Sequence, residues 1–230
     1  MTAGPSPAGP PAAAPPPAGP PAGAPAARFT EDWFEYHTPA WRRFFDGVGW
    51  DAEAPHVAVE IGSFEGRSTI WILENLLRHP DSRIHCLDTF AGGVEHQADR
   101  IAGLYERFDA NLRAHGVRDK AAVLRGPSFD GLVRLLGAGV EADFVYVDGS
   151  HQAPDVLADL VLGFRLLRPG GVMICDDYLW SMEEPDTHDL LNAPKIAIDA
   201  FANIHRRQIE LPDGLLRWQF GLRRRAPEPG

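Results

Sequence analysis

The sequence predicts an α/β protein built on a doubly wound, mostly parallel sheet, and three observations carry that prediction. Five short apolar runs rich in β-branched residues recur between residues 56 and 177, separated by segments of helical period. Pro169-Gly170-Gly171 punctuates the passage from the last of those helices into the fifth run. Two more strand-like runs then flank "PDG" (212–214), a turn too short for a crossover, so they pair antiparallel. The expected architecture is therefore Rossmann-like: a seven-stranded sheet, five strands parallel, closed by a C-terminal antiparallel hairpin. A plain dinucleotide-binding domain would instead continue through another crossover helix.

Residues 1–27 contain no charged side chain and are almost entirely Pro, Ala and Gly. Such a stretch cannot bury enough apolar surface to offset chain ordering, so a disordered tail is expected. It has neither the basic start nor the unbroken apolar centre of a secretion signal. Residues 28–225 are expected to form one domain, with 28–52 as a helical cap. In that cap Trp33, Tyr36, Trp41, Phe44 and Phe45 share a face of one or two helices, either packing on the main domain or covering a pocket.

Strands are expected at 56–62, 83–89, 121–126, 143–149 and 170–177. Helices are expected at 67–78, 97–115, 129–136 and 154–167. A helix over 194–205 then leads into the strand "RQIEL" (207–211), and "LLRWQFGLRR" (215–224) completes the hairpin.

The formal net charge of the 230-residue chain is −10. That balance argues against broad nucleic-acid contact, which requires clustered Lys and Arg. Arg206-Arg207 and Arg223-Arg224-Arg225 read as solvated surface. No run of about 18 apolar residues offers a membrane span. Cys86 and Cys175 sit in apolar runs and read as buried free thiols, which suits a cytoplasmic protein. No zinc spacing is present.

The chemistry gathers at strand ends. "VEIGSFEGRST" brackets a strand-to-helix turn with Gly62 and Gly66, around Ser63, where free helix amides and bare backbone admit a ligand. Asp88 ends the next strand 26 residues after Gly62, and adjacent strands lie about 4.8 Å apart. An acid there can accept both ribose hydroxyls of an adenosine. The loop has Phe64 where a pyrophosphate-binding GxGxxG has its middle glycine. Glu60 would repel phosphates but can hold an ammonium. Asp148 ends the fourth strand, and Asp176 and Asp177 end the fifth. Three carboxylates this close repel, share a proton or bind a cation, and oxygen-only donors suit Mg²⁺. His151, three residues beyond Asp148, is placed to take a proton from an acceptor hydroxyl. His188 reads as a loop residue.

Taken together, "VEIGSFEGRST", "CLDTF", "FVYVDGSHQAPDVLADL" and "LLRPGGVMICDDY" resemble the class I S-adenosylmethionine-dependent methyltransferases. The resemblance covers about residues 56–222 and is narrowest toward the branch containing macrocin-type sugar O-methyltransferases. It implies that Glu60, Gly62 and Ser68 hold the methionine part of the cofactor, and that Asp88 holds the ribose. Gly126 and Ser128 would then lie near adenine. It further implies that Asp148, Asp176 and Asp177 bind Mg²⁺ and that His151 is the base. Catechol-type O-methyltransferases have a similar carboxylate arrangement with lysine in the base position, and this sequence has none there. The larger sugar-modifying members carry oligomerisation segments not found here, which leaves a sugar substrate open; a homo-oligomer is a separate alternative.

The expected activity is methyl transfer from S-adenosylmethionine to a hydroxyl of a small molecule, assisted by Mg²⁺. Alternatives are a metal-independent methyltransferase, an NAD-dependent oxidoreductase and a non-catalytic nucleotide-binding protein. The aromatic residues of the cap and around Tyr178 and Trp180 suggest an apolar or ring-shaped acceptor.

Overall fold

The structure, a computed structural model, describes residues 26–93, 101–181, 189–214 and 218–226. Most of the expected tail, the first residues of the helix expected at 97–115, and His188 lie outside them. In chain order the elements are α1 (Thr38–Gly47), β1 (Val57–Ile61), α2 (Arg67–Asn75), β2 (Arg83–Asp88) and α3 (Leu104–Ala114). They continue with β3 (Ala121–Arg125), α4 (Ser128–Gly137), β4 (Ala142–Val147), α5 (Ala153–Leu166) and β5 (Leu167–Cys175). The chain closes with α6 (Lys195–His205), β6 (Ile209–Glu210) and β7 (Phe220–Arg224).

One sheet of seven strands results, in the order β3-β2-β1-β4-β5-β7-β6. The five expected parallel strands are there, and β6 and β7 pair antiparallel as the hairpin. The placement of the hairpin adds a detail. Strand β7 inserts between β5 and β6 and runs antiparallel to both, so β6 runs in the direction of β5.

Alternation along each strand divides the core into two layers. On β4, Phe144 and Tyr146 face a cluster built from Trp41, Phe44, Phe45, Ile70 and Phe108, whereas Val145 and Val147 face Leu132, Leu160, Phe164 and Phe201. Helices thus cover both faces of the sheet, and β4 is buried along its whole length. Cys86 and Cys175 are buried free thiols. Among the described residues no helix is long and apolar enough to cross a membrane.

Two local expectations change. Gly170 and Gly171 do not form the helix-to-strand turn. Helix α5 passes directly into β5 at Leu167, and the register against β4 shifts between Ala142 and Phe144. The glycines therefore sit in a strand irregularity, where Gly170 has φ +82° and a Cβ on Gly171 would lie 2.9 Å from the Asp143 carbonyl oxygen. The hairpin connection is also longer than "PDG". Strand β6 ends at Glu210 and β7 begins at Phe220. In between, Gly214 (φ +119°) runs close against the Phe44 backbone, and Trp218 accepts a hydrogen bond from the Tyr178 amide at 2.8 Å. Residues 211–214 and 218–219 lie outside strand geometry, 215–217 of the expected strand fall outside the described residues, and Gln219 meets Asp176 at the carboxyl edge of the sheet.

Candidate active site

A ladder of backbone hydrogen bonds brings the strand ends level. Gly126 N donates to Asp88 O (3.0 Å), Gly62 N to Leu87 O (2.9 Å), Asp148 N to Ile61 O (2.8 Å) and Asp176 N to Val147 O (2.9 Å). Above that rim opens a cavity of about 1000 Å³. Gly62, Ser63, Ser68, Asp88, Gly126, Ser128, Asp148, His151, Asp176 and Asp177 all line it. Its size stands at the upper end of the roughly 300–1,000 Å³ usual for ligand pockets, room for two small molecules side by side.

Acidic side chains hold the glycine loop in shape. Asp88 Oδ2 accepts the amides of Ser63 (2.7 Å) and Phe64 (2.8 Å), and its Oδ1 accepts that of Phe90 (2.6 Å). Gly62 (φ +83°) lies so close to the start of the β4–α5 loop that a Cβ would fall 1.9 Å from the Asp148 carbonyl oxygen.

Two expectations about this loop need correction. Glu60 does not reach the cavity. It is fully buried, and its carboxyl accepts the hydroxyls of Ser63 (2.7 Å), Ser68 (2.7 Å) and Thr69, so it shapes the loop from beneath rather than meeting an ammonium. Burial pushes its pKa up, while the three hydroxyls pull the other way. Gly66 does not line the cavity either. As the left-handed residue before α2 it gives space to α3, since a Cβ would lie 2.6 Å from Leu112 Cδ1.

The acid cluster is arranged differently. Strand β5 ends at Cys175 and Asp177 takes φ +56°, so strand alternation no longer separates the two aspartates. They nevertheless point to different partners. Asp177 Oδ2 lies 2.8 Å from His151 Nε2, and the imidazole packs on Trp180 at 3.9 Å between ring centroids. Asp176 Oδ1 accepts the Asp177 amide (2.8 Å) and lies 3.6 Å from His37 Nε2. Its Oδ2 meets the Tyr146 hydroxyl and accepts from Gln219 Nε2 (2.9 Å), whose Oε1 in turn accepts Trp41 Nε1 (2.9 Å). The Tyr146 hydroxyl also lies 3.0 Å from Asp148 Oδ2.

That hydroxyl has one proton and stands between two carboxylate oxygens. One of its two contacts therefore needs a further proton or a cation. The electrostatics agree. Burial pushes the Asp148 pKa well up, and the charges of Asp176 and Asp177 push it further. Asp176 is raised as well, by burial above all, with His37 opposing. Tyr36, at the cavity, is pushed up to about 12 by burial and then by the same three carboxylates. Among the described residues no three His, Cys, Asp or Glu side chains are already grouped as metal ligands.

Sequence reasoning missed His37, Tyr146 and Gln219. Tyr146 was legible in principle, because residues 144, 146 and 148 share one face of a strand. His37 and Gln219 arrive from segments whose sequence gives no such period. His37 comes on a strap, residues 28–37, pinned to the loop by Glu65. The Glu65 carboxyl accepts Thr30 N (2.7 Å), Thr30 Oγ1 (2.8 Å) and Arg107 Nε (2.8 Å), while Asn111 exchanges bonds with the Arg28 backbone. The aromatic cap thus does both things weighed for it. Trp41, Phe44 and Phe45 are core, and Trp33 and Tyr36 line the cavity.

Fold and site together define a methyltransferase-type α/β domain. A family model described as a methyltransferase domain matches residues 59–178, and the chain belongs to that family. Among curated proteins it is 29% identical over 126 residues to O-methyltransferase hkm8 of Aspergillus hancockii, covering 55% of this chain and 44% of that protein. It is 31% identical over 121 residues to catechol O-methyltransferase of Mycobacterium tuberculosis, covering 53% of this chain and 47% of that protein. Each match spans less than half of the curated relative. The O-methyltransferase from Bacillus cereus, solved in complex with SAH, shares the fold at TM-score 0.61 and 19% identity over 89% of this chain and 86% of its own.

Proposed function

We propose that the protein transfers a methyl group from S-adenosylmethionine to a hydroxyl of a small molecule. The observation that supports this reading best is the charge of the cavity. Among the described residues, eight carboxyl side chains and one guanidinium, Arg67, line it. Such a field favours a sulfonium and an ammonium and opposes the pyrophosphate of a dinucleotide. The curated relatives are named as O-methyltransferases, which agrees. In this reading the cofactor's methionine lies over Gly62, Ser63 and Ser68, its ribose at Asp88 and its adenine by Gly126 and Ser128. The sulfonium then faces the acid cluster.

His151 would remove the acceptor proton, with Asp177 holding its ring. As the acceptor oxygen bonds the methyl carbon, the methyl–sulfur bond breaks in line, the proton passes to His151 and S-adenosylhomocysteine leaves. Trp180, Tyr36 and Trp33 supply flat walls for a ring-shaped acceptor, and the acid lining favours a neutral or cationic one.

The donor chemistry fits Mg²⁺: crowded carboxyl groups, Asp176 buried and Asp148 and Asp177 half-buried, with one Tyr146 proton between two of them. Asp148, Asp176 and Asp177 would hold the ion, which supplies a lowered pKa at the acceptor hydroxyl. A metal-independent variant has its own support, because Tyr146 and Gln219 already engage Asp176, and His151 engages Asp177. Production of S-adenosylhomocysteine with a panel of phenols and sugar alcohols, with added Mg²⁺ and with excess chelator, tests both. Turnover abolished by chelator and restored by Mg²⁺ is expected. Undiminished turnover in chelator removes the ion, and no turnover with any hydroxyl acceptor removes the reaction.

A further inference from the structure

Strand β7 runs antiparallel to β5, with Ile174 opposite Gly221 and Cys175 opposite Phe220. One step further in the same register Gln219 falls opposite Asp176, and the Tyr178 amide then donates to Trp218 O, so the two chains stay together past the strand ends. The register thus delivers a neutral amide to an acid on the cavity wall. Gln219 is buried and does not itself line the cavity. Whatever it does there, it does through Asp176.

The sense of the amide is set from its far side. An indole N–H can only donate, so Trp41 Nε1 takes the amide oxygen and leaves the amide N–H groups for Asp176 Oδ2. The indole itself is held in place. Trp41 is fully buried and meets Phe34, Trp71, Phe144 and Tyr146 edge to face. Packing gives no reason for such a chain, since phenylalanine at 41 and methionine at 219 would fill similar space with no polar atom to satisfy. What the chain secures is the carboxyl group. Gln219 and Tyr146 hold its Oδ2 and the Asp177 amide holds its Oδ1, which fixes the plane that Asp176 presents to the cavity. We propose that Gln219 is a positioning residue for methyl transfer: locked in one sense by the Trp41 indole, it holds the Asp176 carboxyl in its working orientation. This rests on the reaction proposed above.

Gln219→Met, of similar length but without the donor, tests it with whichever hydroxyl acceptor the wild type turns over. Its kcat is expected to fall about tenfold or more, while calorimetry still finds one S-adenosylhomocysteine per chain at a Kd within about twofold of wild type. Trp41→Phe frees the amide to turn and is expected to lower kcat about threefold or more. Combined with Gln219→Met it should cost nothing further, because both act through one chain. The Trp41 indole N–H resonance, identified by its loss in Trp41→Phe, is expected to shift and to exchange faster with solvent in Gln219→Met. Gln219→Met protein with wild-type kcat, or an unmoved indole resonance, overturns the role of Gln219. Fully multiplicative losses in the double variant overturn the link through Trp41. Wild-type protein that binds S-adenosylhomocysteine but methylates no hydroxyl overturns the reaction itself.

Discussion

Strand β4 carries Asp143 as its second residue and is followed directly by Asp148, five residues on at the opposite edge of the sheet, and the surroundings of the two are opposite. Asp143 accepts the Val57 amide at 2.7 Å, pairs with the Arg168 guanidinium and lies 3.4 Å from His56 Nδ1. Burial alone would raise its pKa, but His56, the Val57 amide and Arg168 together hold it down to about 2. Asp148 has the Tyr146 hydroxyl and otherwise two like-charged neighbours, and its pKa goes well up. The same residue type thus serves the fold at one end of β4, and at the other is kept short of partners. A group left so costs stability, and that cost is reasonable where a ligand completes the set.

The sharpest way to break this contrast is to neutralise each aspartate in turn. Asp148→Asn is expected to lower methyl transfer by about 10²–10³, the usual effect of removing a preorganised electrostatic group. Its melting temperature without ligand should not fall, because the substitution removes a repulsion. A variant that melts lower yet turns over normally would place Asp148 with the structural acids.

Asp143→Asn should do the reverse, losing about 2–3 kcal/mol in urea unfolding while turnover under folding conditions stays near wild type. The pH dependence follows from the sign of the shift. With a folded pKa of about 2 against an ordinary value of 3.8, Asp143 contributes stability above the higher value and loses it as pH falls through the lower. Asp143→Asn should therefore flatten the acid limb of the stability curve. An unchanged acid limb would show that the pairing with Arg168 and His56 adds nothing.

How much of this was readable in the sequence depends on whether a residue lies on a periodic element. The parallel strands and the acids that end them follow from alternating apolar runs, because a strand's last inward position is fixed by its first. Gly62, Asp88, Asp148 and Asp176 were placed on one rim for that reason, and they border one cavity. Position alone did not reveal what each acid does there. Glu60 was assigned to the ligand because it precedes the loop, yet three hydroxyls that follow it in sequence turn to it from below the cavity. Gln219 and His37 come from a strand connection and a strap, whose paths are set by tertiary contacts such as Glu65 with Thr30 and Gly214 against Phe44. No local pattern encodes such paths.

Asp159 offers the finest test of the contrast, because it belongs to the partner-poor class but stands away from the acid cluster. Buried on α5 with its Oδ2 unpartnered among the described residues, its carboxyl has a folded pKa pushed up by burial to about 7, above the ordinary 3.8, so the folded protein binds the extra proton between those values. Stability contributed by the protonated group is therefore lost as pH rises through that range, and above about pH 7 the full penalty of a buried charge is present. Asparagine at this position carries no such penalty. From pH 6 to pH 8 the ligand-free wild-type protein should lose about 1 kcal/mol relative to Asp159→Asn, a widening of about 2–4 °C between their melting temperatures. Parallel melting curves across this range without ligand would mean that the Asp159 carboxyl already has what it needs in the folded chain, and would move it to the side of Asp143.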